Sequence, residues 1–437
     1  MWFSQSGSAA ACITSAITIW VVIWWMLEPI PIPATSLIPL ALLPLFGVLS
    51  PSELGAAYGH PLVLLLMGGF LLATALERSG AHRRVALSMV RAFGAHSARR
   101  LVFGFMTASA VLSMWISNTA TVLMLLPVAV AVIDSTDDEH LSTPLLLGIA
   151  YGASIGGMGT PIGTPPNVVF MGVFEQSTGG TISFTRWMGW ALPIVIVLLP
   201  LAGLWVTRHL RHSGDYQLPQ AGAWRTPERR VFLVFSATAL CWITRSEPFG
   251  GWTAWLGLPY SNDAIVAFLG VVALFLIPNG EGEKLLDWET ANKIPWGMLI
   301  LFGAGIAIAT AFMNSGLSGT IGASLEQLST LPLILMIGII CLSVTFLTEV
   351  TSNTATTTLL MPILAAAAIG AATDPKLFMI PAALSASCAF MLPVATPPNV
   401  IMFSTGRFSV RTMAKEGFAV NLIGVLVITT LTFLLLG

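Results

Sequence analysis

Two five-residue words each occur twice in this 437-residue chain. Ser117-Asn118-Thr119-Ala120-Thr121 returns as Ser352-Asn353-Thr354-Ala355-Thr356, an offset of 235 residues. Thr164-Pro165-Pro166-Asn167-Val168 returns as Thr396-Pro397-Pro398-Asn399-Val400, an offset of 232. The order is the same in both halves, and Pro127 and Pro362 repeat at the first offset. The first word sits between two apolar helical arms. At a hairpin tip it starts a new helix, whose free N–H groups and half-positive end attract carboxylate-like anions. Hydroxyls of Ser117, Thr119, Ser352 and Thr354 add donors, as do the amides of Asn118 and Asn353. In the second word, two consecutive prolines remove backbone donors and break a helix. Carbonyls ahead of the break then become ligands for a small hard cation, and an oxygen set without carboxylate suits sodium.

The elements that hold these words must be membrane helices. Hydrophobic residues make up 55% of the chain and charged ones 9%, against roughly 25% in a soluble domain. This excludes a soluble enzyme, a nucleic-acid binder and a disordered chain. The net charge of −1 steers no partner by its field, and the four cysteines fit no metal or redox spacing. A span needs about 20 apolar residues. Candidates fall near 9–28, 35–50, 61–77, 187–206, 231–246, 263–278, 296–313 and 417–436. Four further stretches, 101–133, 144–178, 332–371 and 377–404, are interrupted by the repeated words.

Charge placement sets the topology. If 101–133 and 332–371 are re-entrant hairpins, and 144–178 and 377–404 cross once each, four loops share the cytoplasmic face. These loops carry all but Arg186, Arg245 and Lys376 of the 19 basic residues. Five crossings then separate the two Ser-Asn-Thr words. Five is odd, so the copies enter from opposite faces as an inverted-topology repeat, with the binding site where the halves meet. The expected organisation is N-terminal scaffold helices at 1–60, a first inverted repeat at 61–178, linking helices at 187–278, a second repeat at 296–404 and a C-terminal helix at 417–437. Both termini lie outside. An interfacial helix at 80–94 presents Val85, Met89 and Phe93 on its apolar edge. Its external counterpart at 316–328 uses Leu317, Ile321, Leu325 and Leu328. Trp187 and Trp205 bracket one span, as an aromatic belt or as ordinary packing.

No Lys or Arg lies inside a broken segment. The anion is therefore held by dipoles and neutral donors with co-bound cations offsetting its charge, which argues for cation-coupled uptake over an anion pore lined by basic rings. A single Ser or Thr in a membrane helix is ordinarily back-bonded or packed; four broken elements in a repeated pattern are not. Glu349, three residues before Ser352, carries a proton or holds the hairpin. Glu28, beside Pro29-Ile30-Pro31-Ile32-Pro33, marks a helix end at the interface. Gly152, Gly156, Gly157, Gly159 and Gly163 follow no strand, so they read as close helix packing rather than a nucleotide loop. No nucleophile–base or metal constellation supports an enzyme.

The paired words, with Ser387-Cys388-Ala389-Phe390-Met391-Leu392-Pro393 before the second and Ile30-Pro31-Ile32-Pro33 near the start, resemble the divalent anion/sodium symporter family over nearly the whole chain. The resemblance implies an all-α polytopic membrane protein with an inverted repeat, two re-entrant hairpins and two broken helices. It further implies a homodimer in the bacterial inner membrane whose transport domain moves as an elevator. One sodium site falls on Ser113, Ser117, Asn118 and Gly163. The second falls on Thr348, Thr351, Asn353 and Ala395, with Thr351 and Ala395 acting through backbone oxygen. Substrate carboxylates meet Asn118, Thr119, Asn353 and Thr354, with Thr396, Pro165 and Pro397 shaping the pocket. The expected function is sodium-coupled import of C4 dicarboxylates such as succinate, fumarate or malate, with sodium ions as the only cofactor and no nucleic-acid partner. Alternatives are a sodium-independent dicarboxylate exchanger and a sulfate or citrate transporter of the same family.

Overall fold

A computed structural model describes residues 6–94, 96–136, 138, 140–210, 216, 218, 222–247, 249–320 and 331–437. Helices α1 (Ser6–Leu27), α2 (Ile32–Thr35), α3 (Leu37–Leu45), α4 (Pro51–Tyr58), α5 (Pro61–Ser79) and α6 (Ala81–Phe93) come first. Next come the pair α7 (Ala98–Ser113) and α8 (Asn118–Asp134), and the interrupted pair α9 (Ser142–Gly157) and α10 (Pro165–Thr178). The middle holds α11 (Phe184–Val206), α12 (Thr226–Ile243), α13 (Gly251–Trp255), α14 (Asp263–Leu276), α15 (Trp288–Ala291) and α16 (Trp296–Asn314). A second pair, α17 (Leu333–Thr348) and α18 (Asn353–Gly370), precedes a second interruption between α19 (Lys376–Ser385) and α20 (Pro397–Phe403). The chain closes on α21 (Val410–Leu436). There is no named strand among the described residues.

Six of the described helical stretches are long and apolar enough to cross a bilayer. The expected span at 35–50 is shorter than predicted: α3 has nine residues and runs into Gly47 at φ +71°, a left-handed turn that suits glycine. Ile321, Leu325 and Leu328 of the expected external helix lie outside the described residues.

The Arg-rich loops are knitted together on one face. Arg84 pairs with Glu228 at 2.7 Å, and Arg225 donates to Ser79 O at 3.0 Å. Arg78 reaches Glu283 and Asp287, Arg208 pairs with Glu416 at 2.5 Å, and Arg407 pairs with Asp134 at 2.6 Å. The start of α7, through Arg99 and Thr207 O, and the end of α8, through Asp134, both belong to this face.

Helix α6 forms as expected, and the edge it buries in the protein leaves Val85 and Met89 half-buried and Phe93 exposed. His82, Ala86, Leu87 and Val90 are buried, whereas Phe93 is 40% exposed. The reason is that α6 lies on α7, where a β-carbon at Gly104 would stand 3.3 Å from Val90 Cα. Glycines also set the α7–α9 contact: a β-carbon at Gly152 would stand 2.5 Å from Met106 O, and one at Gly156 would overlap the backbone of Ala110. These residues permit close helix packing, as expected.

Candidate functional site

Both Ser-Asn-Thr words open helices. Asn118 is the first residue of α8, and Ser117 caps it by accepting from Ala120 N at 3.1 Å. Asn353 is the first residue of α18, with Ser352 at the cap position but making no side-chain cap bond. The two helix starts meet in one cavity of about 610 Å³. Ser117, Asn118, Thr119, Gly163, Pro165, Thr351, Ser352, Asn353, Thr354, Ala395, Thr396 and Pro397 all line it. Of the residues expected at the site, only Ser113 and Thr348 stand behind the lining, one helical turn back and fully buried.

That displacement has a purpose in the geometry. The Ser113 hydroxyl donates to Asn118 Oδ1, and the Thr348 hydroxyl donates to Asn353 Oδ1 at 2.6 Å. In each half the asparagine oxygen therefore turns away from the cavity toward a hydroxyl. A β-carbon at Gly157 would lie 2.9 Å from Asn118 Oδ1 and 3.2 Å from Gly163 O, so these oxygens converge beside Gly157. The Ser113, Asn118 and Gly163 oxygens fit a small hard cation, which prefers oxygen ligands. Thr351 turns its hydroxyl to Leu347 O and to Thr356, which leaves only its backbone oxygen for a ligand role. The Thr396 hydroxyl is buried without a partner at the edge of the same cavity.

The interruptions are built differently from the expectation. Pro165 and Pro397 occupy the first position of the helices that follow, where a backbone donor is not needed. The break itself lies upstream, and most of its freed carbonyls already have partners. Asn167 Nδ2 donates to Gly157 O at 3.0 Å and Thr160 O at 2.7 Å. Asn399 Nδ2 donates to Ala389 O and Leu392 O, each at 3.0 Å. These four acceptors correspond pairwise at the same 232-residue offset. Aromatic residues complete the bracing: Trp187 Nε1 donates to Met158 O at 2.9 Å and Tyr151 Oη to Phe390 O at 3.0 Å. Trp187 is thus a fully buried brace and not part of an aromatic belt. Irregular backbone at membrane depth persists only when its polar groups are satisfied in this way.

Glu349 resolves into a holding role. Its carboxylate accepts from Phe390 N (2.7 Å), Met391 N (2.9 Å), Leu392 N (3.0 Å) and Asn421 Nδ2 (2.7 Å). It ties the second tip to the second break and to α21. Glu28 ends α1, as expected, but it also lines the cavity.

An all-helical membrane chain whose two broken elements and two helix starts converge on one cavity is a membrane transporter. A profile of the citrate transporter family matches residues 22–376, and the chain belongs to that family. It is 41% identical to the sodium-dependent dicarboxylate transporter SdcS of Staphylococcus saprophyticus, over 96% of this chain and 85% of the relative. It is 40% identical to the protein of the same name from Staphylococcus aureus, over 96% and 84%. In fold it resembles the YdaH transporter of Alcanivorax borkumensis (TM-score 0.64, 13% identity, covering 97% of this chain and 98% of that one). It also resembles MtrF of Neisseria gonorrhoeae (TM-score 0.66, 14% identity, 98% and 94%).

Proposed function

We propose that this protein imports C4 dicarboxylates together with sodium, by an elevator-type alternating-access movement, as a homodimer with both termini outside. The matched Ser113–Asn118 and Thr348–Asn353 bonds carry the reading. With each Oδ1 directed to a hydroxyl, each amide Nδ2 is left for an anion, beside the hydroxyls of Thr119 and Thr354, which make no hydrogen bond among the described residues. The cavity then offers neutral donors and two helix N-termini to a dianion, with cation-binding oxygens directly behind them. The names of the relatives support both the dicarboxylate and the sodium. The inverted repeat is supported by the asparagine braces at equal offsets, and the hairpin at 101–133 by both its ends belonging to the Arg-rich face. That face is the cytoplasmic one on the charge rule.

The test is uptake of labelled succinate into proteoliposomes with and without an inward sodium gradient. Sodium stimulation, abolished in Asn118→Ala and Asn353→Ala, is the expected result. Uptake that ignores sodium but needs internal dicarboxylate converts the reading to an exchanger. Full activity in both variants overturns the site.

A further inference from the structure

Among the described residues lining the cavity, Glu28 is the only one with an ionisable side chain. It stands at the exposed rim, on the end of α1 whose Trp25 and Met26 lie beside Thr351 of the second tip. The lining there comes from the C-terminal end of α1 (Met26, Glu28), the first residues around α16 (Pro295, Met298) and the second half of α5 (Phe70, Ala73). Arg78 at the end of α5 is bonded to Glu283 and Asp287 in the segment leading to α16, so the mouth opens on the Arg-rich face. Glu28 is exposed, and no hydrogen bond or ion pair engages its carboxylate among the described residues.

Its backbone is also unusual. Glu28 adopts φ +48°, directly after the last residue of α1. A helix end of this kind is normally glycine or asparagine, because a β-carbon is penalised in the left-handed region. Turn geometry alone gives no reason for a glutamate. Pro29, Pro31 and Pro33 follow, each fixing its own φ, so the carboxylate is held at the rim by stiff backbone.

An acid at the rim of an anion cavity repels its own ligand, and it repels most strongly the ligand with the most charge. We infer that Glu28 is a specificity-determining residue that grades anions by charge at this mouth, favouring dianions over tricarboxylate trianions. The inference rests on the cavity being the anion site. It also bears on the fact that the family is described by citrate while the relatives are named for dicarboxylates. One unit of like charge at this range, across a wet mouth, amounts to roughly a three- to fivefold difference in affinity between anions differing by one charge.

The test is equilibrium binding of labelled succinate and labelled citrate to the purified full-length protein in sodium, at alkaline pH where succinate carries two charges and citrate three. Glu28→Gln and Glu28→Ala are expected to lower the citrate-to-succinate ratio of half-saturating concentrations roughly three- to fivefold. Glu28→Asp keeps the wild-type ratio. A ratio is insensitive to the fraction of protein that is folded, and two charge-removing variants guard against one that does not assemble. An unchanged ratio in both neutral variants, with succinate still bound, overturns this role and leaves the site standing. Failure of both anions to bind the wild-type protein overturns the site and this role together.

Discussion

The Thr348 hydroxyl lies 2.6 Å from Asn353 Oδ1 and 3.1 Å from Ala386 O, two acceptors that face its one proton, so one buried side chain links the second hairpin tip to the second broken helix. Ser113 and Asn118 make the same hydroxyl-to-amide bond in the first half. The bond fixes which end of each asparagine amide looks into the cavity. On the proposed function, that choice gives each asparagine a cation-facing side and an anion-facing side.

Thr348→Ala removes that hydroxyl without touching the cavity lining. The half-saturating sodium concentration for uptake is expected to rise about tenfold, as for the loss of one hydrogen-bonded oxygen worth about 1–2 kcal/mol. Thr348→Ser is expected to stay near wild type. Sodium titrations of succinate uptake for the two variants check this; equal sodium dependence in both would remove Thr348 from the cation site.

Gly157→Ala places a methyl 2.4 Å from Thr164 Cγ2 and 2.9 Å from Asn118 Oδ1, so both short side chains must shift, with Gly163 O 3.2 Å away beside them. Sodium-stimulated uptake is expected to vanish. Gly189→Ala, with nothing within 4 Å of its new β-carbon, serves as the comparison and should transport normally. Retained sodium stimulation in Gly157→Ala would show that no ion sits against that glycine.

Asn167→Leu and Asn399→Leu each take the donor from one carbonyl, Gly157 O or Ala389 O, and weaken a second, Thr160 O or Leu392 O, which keeps Gly163 N or Ala395 N. Each is expected to lose about 1–3 kcal/mol of stability, the cost of one buried unsatisfied polar group. Thermal or denaturant unfolding in a fixed detergent measures it. Unfolding midpoints unchanged from wild type would mean that the breaks are supported elsewhere.

Much of the site was legible because it is written twice. A tip that starts a helix needs only its cap residue and the apolar run behind it, and both copies supply these. The broken helices were legible as interruptions but not in their wiring. Asn167 and Asn399 stood inside the repeated word, yet their amides act on carbonyls seven and ten residues upstream, a distance that sequence spacing does not translate into contact. The same holds for Trp187 and Tyr151, whose partners are brought near only by helix packing. Helix α6 was legible from its apolar edge, but the burial of His82, Ala86 and Val90 against the glycine-bearing α7 was not. Glu28 was correctly placed at a helix end, but no local pattern reveals that this end overlooks the cavity.

Glu349→Gln tests the holding role against proton carriage. Phe390 N, Met391 N and Asn421 Nδ2 all donate to one carboxylate oxygen, which the glutamine carbonyl replaces, while its NH₂ cannot accept from Leu392 N on the other side. The expected result is a protein destabilised by about 1–3 kcal/mol for the donor left unpaired and the weakened bonds, with uptake lowered alike at every pH. A stable variant whose uptake merely loses its pH dependence would restore the proton-carrying role.

The two halves are alike in wiring but not in charge. The position of Glu349 in the second half is Met114 in the first, so one hairpin is anchored by a buried anion and the other by none. Any displacement of the second hairpin along the membrane normal takes that charge with it. In a membrane potential this amounts to about 2.3 kcal/mol per elementary charge for each 100 mV crossed. On the proposed elevator movement, the step that carries the hairpin depends on voltage in a molecule whose overall charge is nearly zero, while the return step gives the same work back, so the potential tunes rates and not the net driving force.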